Sequence, residues 1–308
     1  MLNNRALLNF DDTAREMLAL LRERLPFDLW MITRVEGDDW IVLYANDQSY
    51  GVSDGDVFRW TDSFCYRMVS DGTLRVVPDC KADLVYADAP IGQQIPIGAY
   101  IGIPLLHDDN RLFGTLCAIH PTPLPDSIVD ELPLIEILAK MLSIILGVCL
   151  EMSSQARNRD QSSANYLKDD ATGLYSLSGW EQLLDSEGKR CRLYGHPACI
   201  ISVHLNDLGQ VYSDRGPVEG ERYLVRLAQI VQSTARKQDI VARVGNDTFA
   251  ILVIESTLAE GTTFLERLKL YLRLAQLNAS TAIAVRGSKQ YQLLEVWQQA
   301  QQAVGVAT

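Results

Sequence analysis

From Asp126 onward the chain carries a helical pattern of apolar residues that passes Val148 and Met152 and then loses its apolar stripe. Residues 153–164 form a polar run that includes Arg157, Arg159 and Asp160. A helix persists by burying an apolar face, because an isolated polar helix is marginal in water. The change of character therefore marks a boundary between two packed bodies. A chain of 308 residues is long enough for two ordinary domains. The expected division is a first domain over 1–150, a connector helix over 151–167 and a second domain over 168–308. The connector is expected to be solvated or to pair with a second copy, and a homodimer through the first domain and this connector is expected.

Charge and cysteine content narrow the function classes. The net charge of −11 argues against nucleic-acid binding, since phosphate contacts need a basic surface. An anionic nucleotide then requires a local concentration of arginines. Six cysteines (Cys65, Cys80, Cys117, Cys149, Cys191, Cys199) are scattered without CxxC spacing, so reduced, buried thiols are expected. The four histidines do not cluster with them, and no metal site is expected. The most apolar stretch, Leu132–Leu150, is interrupted by Glu136, Lys140, Ser143 and Gly147, which fits an amphipathic helix better than a membrane span. Met1–Phe10 has no apolar export signal, so a cytoplasmic protein without membrane insertion is expected.

The first domain reads as a helix near Asp12–Leu25, strands at Leu29–Val35 and Trp40–Tyr44, and a short helix at Ser63–Ser70. An irregular Pro- and Asp-rich lobe over Val76–Pro96 follows, then strands at Ala99–Leu105 and Arg111–Ile119 about a polar turn, His107–Asn110. After Lys168 the pattern alternates. Helices are expected over Ser178–Asp185, Gly220–Ala235, Thr262–Leu277 and Leu293–Val304. Strands are expected over Ala198–Leu205 and Ser280–Val285, with a hairpin, Ile240–Val244 and Thr248–Ile254, turning at Gly245-Asn246-Asp247, residues that tolerate positive φ. The fold class is α/β (α+β): an antiparallel sheet with helices, a connector helix, and a second sheet covered by helices.

In the first half, the runs Ala99-Tyr-Ile-Gly-Ile-Pro-Leu-Leu106 and Leu112-Phe-Gly-Thr-Leu-Cys-Ala-Ile119, with the element order around them, resemble the central hairpin of a GAF domain. That resemblance implies a small-molecule sensor or a dimerisation module. Cys117-Ala-Ile-His120 invites a chromophore-attachment reading, but alternation with Leu116 and Ala118 makes Cys117 a core thiol. Trp30, Trp40, Tyr44 and Trp60 would line a pocket or simply fill the core.

In the second half, Asp170-Ala-Thr-Gly-Leu174 resembles the DxLTGL segment that opens GGDEF, or diguanylate cyclase, domains. Gly216-Pro-Val-Glu-Gly-Glu221 stands where that family has GHxxGD, and Arg243-Val-Gly-Asn-Asp-Thr-Phe249 where it has RYGGDEF. The resemblance also implies which chemistry has been lost. The family's magnesium carboxylate before GHxxGD falls at His204, and the next aspartate of its DxD pattern at Asn206. The guanine-reading asparagine falls at Tyr212 and the guanine-reading aspartate at Glu221. The second signature glycine becomes Asn246 and the signature acid Thr248, leaving Asp247. Magnesium wants hard oxygen ligands, so this set implies a degenerate domain without cyclase activity, metal or cofactor. The family's inhibitory RxxD site is similar to Arg236-Lys-Gln-Asp239, with Arg267 matching a further arginine, which implies binding of cyclic di-GMP. An arginine fork suits guanine's O6 and N7 edge or a phosphate, and an aspartate accepts from guanine N–H groups. The expectation is a non-catalytic cyclic di-GMP receptor with a protein signalling partner. The alternatives are an interaction scaffold without nucleotide binding and, ranked below it, an active diguanylate cyclase.

Overall fold

The computed structural model describes residues 10–287 and 292–306; the stretch that bears on an export signal, residues 1–9, lies outside them. The chain divides into two units, Met1–Ser153 with Leu193–Gly195, and Ser154–Arg192 with His196–Thr308.

The first unit contains α1 (Phe10–Arg24), β1 (Leu29–Glu36), β2 (Asp39–Asp47), β3 (Val57–Arg59), α2 (Phe64–Ser70) and β4 (Val76–Val77). It continues through α3 (Leu84–Ala87), α4 (Pro90–Gln94), β5 (Ala99–Leu106), β6 (Leu112–His120) and the first part of α5 (Leu132–Ser163). One antiparallel sheet results, in the order β3-β2-β1-β6-β5-β4. Because successive strand residues point to opposite faces, the sheet feeds two cores. Trp30, Ile32, Tyr44, Ile101 and Leu105 pack with Leu18 and Leu21 of α1 and with Ile135, Leu142 and Leu146 of α5. On the other face, Leu29, Met31, Trp40, Tyr100 and Cys117 pack with Trp60, Phe64 and Tyr86. The four aromatic residues read as a possible pocket are therefore split, Trp30 and Tyr44 on one face and Trp40 and Trp60 on the other.

The 76–96 lobe holds only β4, α3 and α4, and Asp83 caps α3 by accepting from the N–H groups of Val85 and Tyr86. Asn110, at φ 63°, completes the β5–β6 turn. The helical pattern that begins at Asp126 starts as a 3₁₀ turn and becomes α-helical at Leu132. By length and composition this one helix among the described residues could cross a membrane. Its Ile135, Ala139, Leu142, Leu146 and Cys149 face is nevertheless core of the first unit.

The second unit contains α6 (Leu177–Tyr194), β7 (Ala198–Leu205), α7 (Leu208–Arg215), α8 (Pro217–Thr234), β8 (Ile240–Arg243), β9 (Thr248–Ile254), α9 (Leu258–Leu274), β10 (Ala279–Val285) and α10 (Leu293–Val306). Its antiparallel sheet runs β10-β7-β9-β8. Leu227 and Val231 of α8 and Phe264 and Leu268 of α9 pack on one face. Trp180 and Leu183 of α6 and Val296 and Trp297 of α10 pack on the other.

Two expectations for this unit are corrected, and one helix is additional to them. Helix α6 runs well past Asp185, because Glu187, Arg190 and Cys191 continue its buried face. Helix α9 starts at Leu258, where Thr257 and Glu260 form a reciprocal capping box. The short α7 was not foreseen; its polar sequence buries only Leu208.

The polar end of α5 is not solvated all round. Arg157 and Ser153 are buried. The Arg157 guanidinium donates to Glu187 Oε1 at 2.9 Å and to Glu255 Oε1 at 2.9 Å. Arg190 in turn bonds Glu187 Oε1 at 2.7 Å and pairs with Asp160. Burial works against the Arg157 charge, but Glu187 and Glu255 outweigh it and hold the group protonated. Glu255 reaches its position with φ at 49°, an uncommon backbone for a non-glycine residue. A run that looks solvated by composition is thus held by charge pairing.

Candidate functional site

The positions singled out around the signature converge where the end of β7 meets the β8–β9 tip. His204 and Thr248 are register partners across β7 and β9, so their side chains emerge on the same side of the sheet. His204 Nδ1 lies 3.4 Å from Thr248 Oγ1 and 3.3 Å from Asp247 Oδ1, while Thr248 Oγ1 donates to Asp247 Oδ1 at 3.0 Å. The three groups interlock. Among the described residues, no group of three or more His, Cys, Asp or Glu side chains is placed to hold a metal ion.

Asn206 is taken up by its neighbours: its amide donates to Asn278 Oδ1 at 3.0 Å, and Ser280 Oγ donates to its carbonyl oxygen at 3.0 Å. Tyr212, on α7, lies against the start of α8. A Cβ on Gly220 would come within 2.5 Å of the Tyr212 ring, so the ring occupies the space beside Gly220. Glu221 and Asn246 are exposed.

The turn itself differs from expectation. Neither Gly245 nor Asn246 has a positive φ. The turn is closed by Val244 N–H and Gly245 N–H donating to the Thr248 carbonyl at 2.9 and 3.2 Å. Arg243 holds it from outside the loop. Its Nε donates to the Gly245 carbonyl at 3.1 Å, its Nη2 to the Asn246 carbonyl at 2.7 Å, and its Nη1 faces Asp169 Oδ2 at 3.4 Å. Sequence reasoning assigned Arg243 no role; its place at the head of the signature segment was the available signal.

The Arg236, Asp239 and Arg267 set lies at another end of the unit, beyond the last turn of α8. Helix α8 stops at Thr234, so Arg236 belongs to the following turn rather than to the helix. Asp239 is buried and accepts N–H bonds from Arg236 at 2.7 Å and Ile254 at 3.1 Å. Burial raises its pKa above the ordinary carboxylate value, against the opposing pull of those bonds and of the Arg236 and Arg267 charges. Arg267 Nη2 donates to the Thr234 carbonyl at 2.8 Å, so Arg267, not Arg236, caps the end of α8. Arg236 is exposed. The three residues share one corner, with the carboxylate inward and the guanidinium groups outward.

In the first unit, Cys117 is fully enclosed, with the Thr115 hydroxyl 3.7 Å from its sulfur. Burial pushes its thiol well above the ordinary value, which suppresses the thiolate that attachment chemistry needs. All six cysteines are free and buried.

Comparison with known proteins follows the same division. Residues 166–304 match the family described as "Diguanylate cyclase, GGDEF domain", and residues 9–146 match the GAF domain. The probable diguanylate cyclase DgcC of Escherichia coli is 28% identical over 86 residues, 28% of this chain and 23% of DgcC. The chain thus matches less than a quarter of that relative's length. The diguanylate cyclase DgcP of Escherichia coli is 19% identical over 270 residues, 86% of this chain and 77% of DgcP. Among solved structures, the FimX GGDEF domain of Pseudomonas aeruginosa is 23% identical with a TM-score of 0.44, covering 46% of this chain and 93% of that one. This chain is a GAF domain followed by a GGDEF domain.

Proposed function

We propose that this GGDEF domain does not make cyclic di-GMP but senses it, as part of a cytoplasmic homodimer that passes the response to a protein partner. The observation that carries the first half is the Tyr212 ring beside Gly220, together with the His204–Thr248–Asp247 interlock. Magnesium with a nucleotide triphosphate calls for carboxylates and near-octahedral oxygen ligation. An imidazole, one carboxylate and a hydroxyl bonded to one another do not fit that ion.

The sensing half rests on the Arg236, Asp239 and Arg267 corner. Arg236 is exposed, and Arg267 spends one N–H on Thr234. Each guanidinium carries five N–H donors, so both retain donors for a phosphate or a guanine edge. The GAF domain, in this reading, transmits or modulates the response.

Calorimetry with cyclic di-GMP tests the proposal. The wild type is expected to release heat, and Arg236→Ala to weaken binding at least tenfold, as the loss of a charge-assisted bond of about 1.5–3 kcal/mol requires. No heat with the wild type sinks it. Pyrophosphate release from GTP and magnesium would instead restore the cyclase reading.

One observation favours the scaffold reading as the alternative: both Asp239 oxygens already accept backbone N–H bonds. On that reading Asp239 is a turn-former, cyclic di-GMP gives no heat, and partner capture becomes the readout.

A further inference from the structure

Two cysteines of the first unit meet inside one of its cores. Cys65 lies on α2 and Cys117 on β6, and each is only 1% exposed. The Thr115 hydroxyl lies between them, 3.4 Å from the Cys65 sulfur and 3.7 Å from the Cys117 sulfur. The Tyr100 hydroxyl donates to Cys65 Sγ at 3.3 Å. Gly102, the register partner of Cys117, gives it room, because a Cβ there would overlap that hydroxyl.

A hydroxyl has two acceptor sites and one hydrogen. Thr33 Oγ1 already accepts from Trp40 Nε1 at 2.9 Å and from the Thr115 N–H at 3.1 Å. Its 2.8 Å contact with Thr115 Oγ1 therefore leaves the Thr115 hydrogen for sulfur. Burial keeps Tyr100 protonated as a donor. Burial also works to raise the Cys65 pKa, but the Cys117 thiol and the Thr115 and Tyr100 hydroxyls outweigh it and hold it below the ordinary thiol value. Cys117 moves the other way, since burial and its bond to Cys65 keep its proton on. Elsewhere, burial pushes the Cys80, Cys191 and Cys199 thiols up to about 12. A thiol that only packs needs no donors, whereas three donors on one sulfur stabilise a thiolate.

We propose that Cys65 and Cys117 form a reversible disulfide when the chain meets a hydroperoxide, a response independent of the cyclic di-GMP reading. With hydrogen peroxide, the Cys65 thiolate attacks one oxygen and the O–O bond breaks. The other oxygen leaves as hydroxide, which takes a proton from solvent to become water, and Cys65 becomes a sulfenic acid. The Cys117 sulfur then attacks the Cys65 sulfur, the S–O bond breaks, and the departing hydroxide takes the Cys117 proton as a second water. The two sulfurs have lost two electrons and the peroxide has gained them. Met68, one turn along α2 from Cys65 and in the same core, also lines a cleft of about 320 Å³ with Thr73, Pro104 and Leu112. Rotation of that flexible thioether admits the oxidant. The new bond ties α2 to β6, and a thiol reductant reverses it.

Thiol counting and peptide mass mapping on the full chain test the pair. After excess hydrogen peroxide and alkylation under denaturing conditions, the wild type is expected to lose two of its six thiols to one Cys65–Cys117 cross-linked peptide. Dithiothreitol is expected to restore both. Cys117→Ser is expected to stop at the sulfenic acid, trapped on Cys65 by dimedone. Tyr100→Phe is expected to slow bond formation about threefold or more at neutral pH and to move its pH profile upward, since the thiolate loses a donor. Cys199→Ser, in the second unit, is expected to change nothing. Survival of all six thiols in the wild type, or a disulfide through any other cysteine, overturns the proposal and leaves cyclic di-GMP binding untouched. An unmoved pH profile in Tyr100→Phe overturns the choice of Cys65 as the attacking thiolate.

Discussion

The Tyr212 ring and the Gly220 backbone share one space: a side chain on Gly220 would lie 2.5 Å from a ring carbon. Gly220→Ala gains about 1 kcal/mol of helix propensity, while overpacking costs about 1–3 kcal/mol. The expected net is a loss on the order of 1 kcal/mol in urea denaturation. Tyr212→Ala in the same chain should reverse the sign, because the added methyl then enters free space. Equal effects of Gly220→Ala in both backgrounds would show that the two residues do not compete.

Under the proposed non-catalytic reading, the same overlap orders the steps by which a nucleotide site would be built. His204→Asp with Thr248→Glu restores carboxylates at the tip but leaves the Tyr212 ring beside Gly220. GTP with magnesium is therefore expected to give no binding heat with that pair. Heat is expected only when Tyr212→Ala is added. Binding by the double variant would show that the Tyr212 ring does not exclude the nucleotide.

Glu187 joins Arg157 and Arg190 in a buried network. Removing one partner of a buried pair leaves a charge uncompensated and costs about 3–5 kcal/mol. Glu187→Ala is expected to destabilise the chain by that amount in chemical denaturation. Arg157→Met/Glu187→Met, which removes both charges of that pair, is expected to cost less than Glu187→Ala. A double variant worse than the single would mean that packing, not charge, holds the end of α5.

Asp47 gives a pH signature in the first unit. Partial burial works to raise its pKa, but its carboxylate accepts N–H bonds from Ser49, Tyr50 and Val52 at 3.1, 3.0 and 2.8 Å. The bonds win, and its pKa lies below the ordinary carboxylate value. A depressed folded-state pKa stabilises fully above the unfolded-state value and loses that contribution as pH falls through the folded one. Asp47→Asn should flatten the acid limb of the denaturation midpoint against pH, and the limb keeping its slope would refute this. The effect is small, because solvent still reaches this partly buried carboxylate.

Much of the fold was legible because it depends on local periodicity. Runs of β-prone residues along Leu29–Val35 and Ala99–Leu105 gave strands. What escaped depends on partners distant in sequence or on few apolar residues. The two-residue β4 and the polar α7 carry too little pattern to read. The full length of α6 depends on Glu187 and Arg190, which look like solvent residues until Arg157 and Asp160 reach them. In the candidate site, residue identity alone marked His204, Tyr212 and Thr248. That Thr248 bonds Asp247 within reach of His204, and that Arg267 reaches the last carbonyl of α8, required three dimensions.

By itself the sequence determined two mixed sheet-and-helix bodies, buried thiols in their cores, and the residue types at the positions on which the proposed function rests, because side-chain type and spacing suffice for each. Tertiary structure decided which of those side chains are occupied. It turned the Asp239 carboxylate inward to backbone N–H groups, set Tyr212 against Gly220, and gave α5 one buried apolar face and one exposed. The physical reason is that occupancy and exposure are properties of neighbours across the fold, and a local pattern records only the residue that meets them.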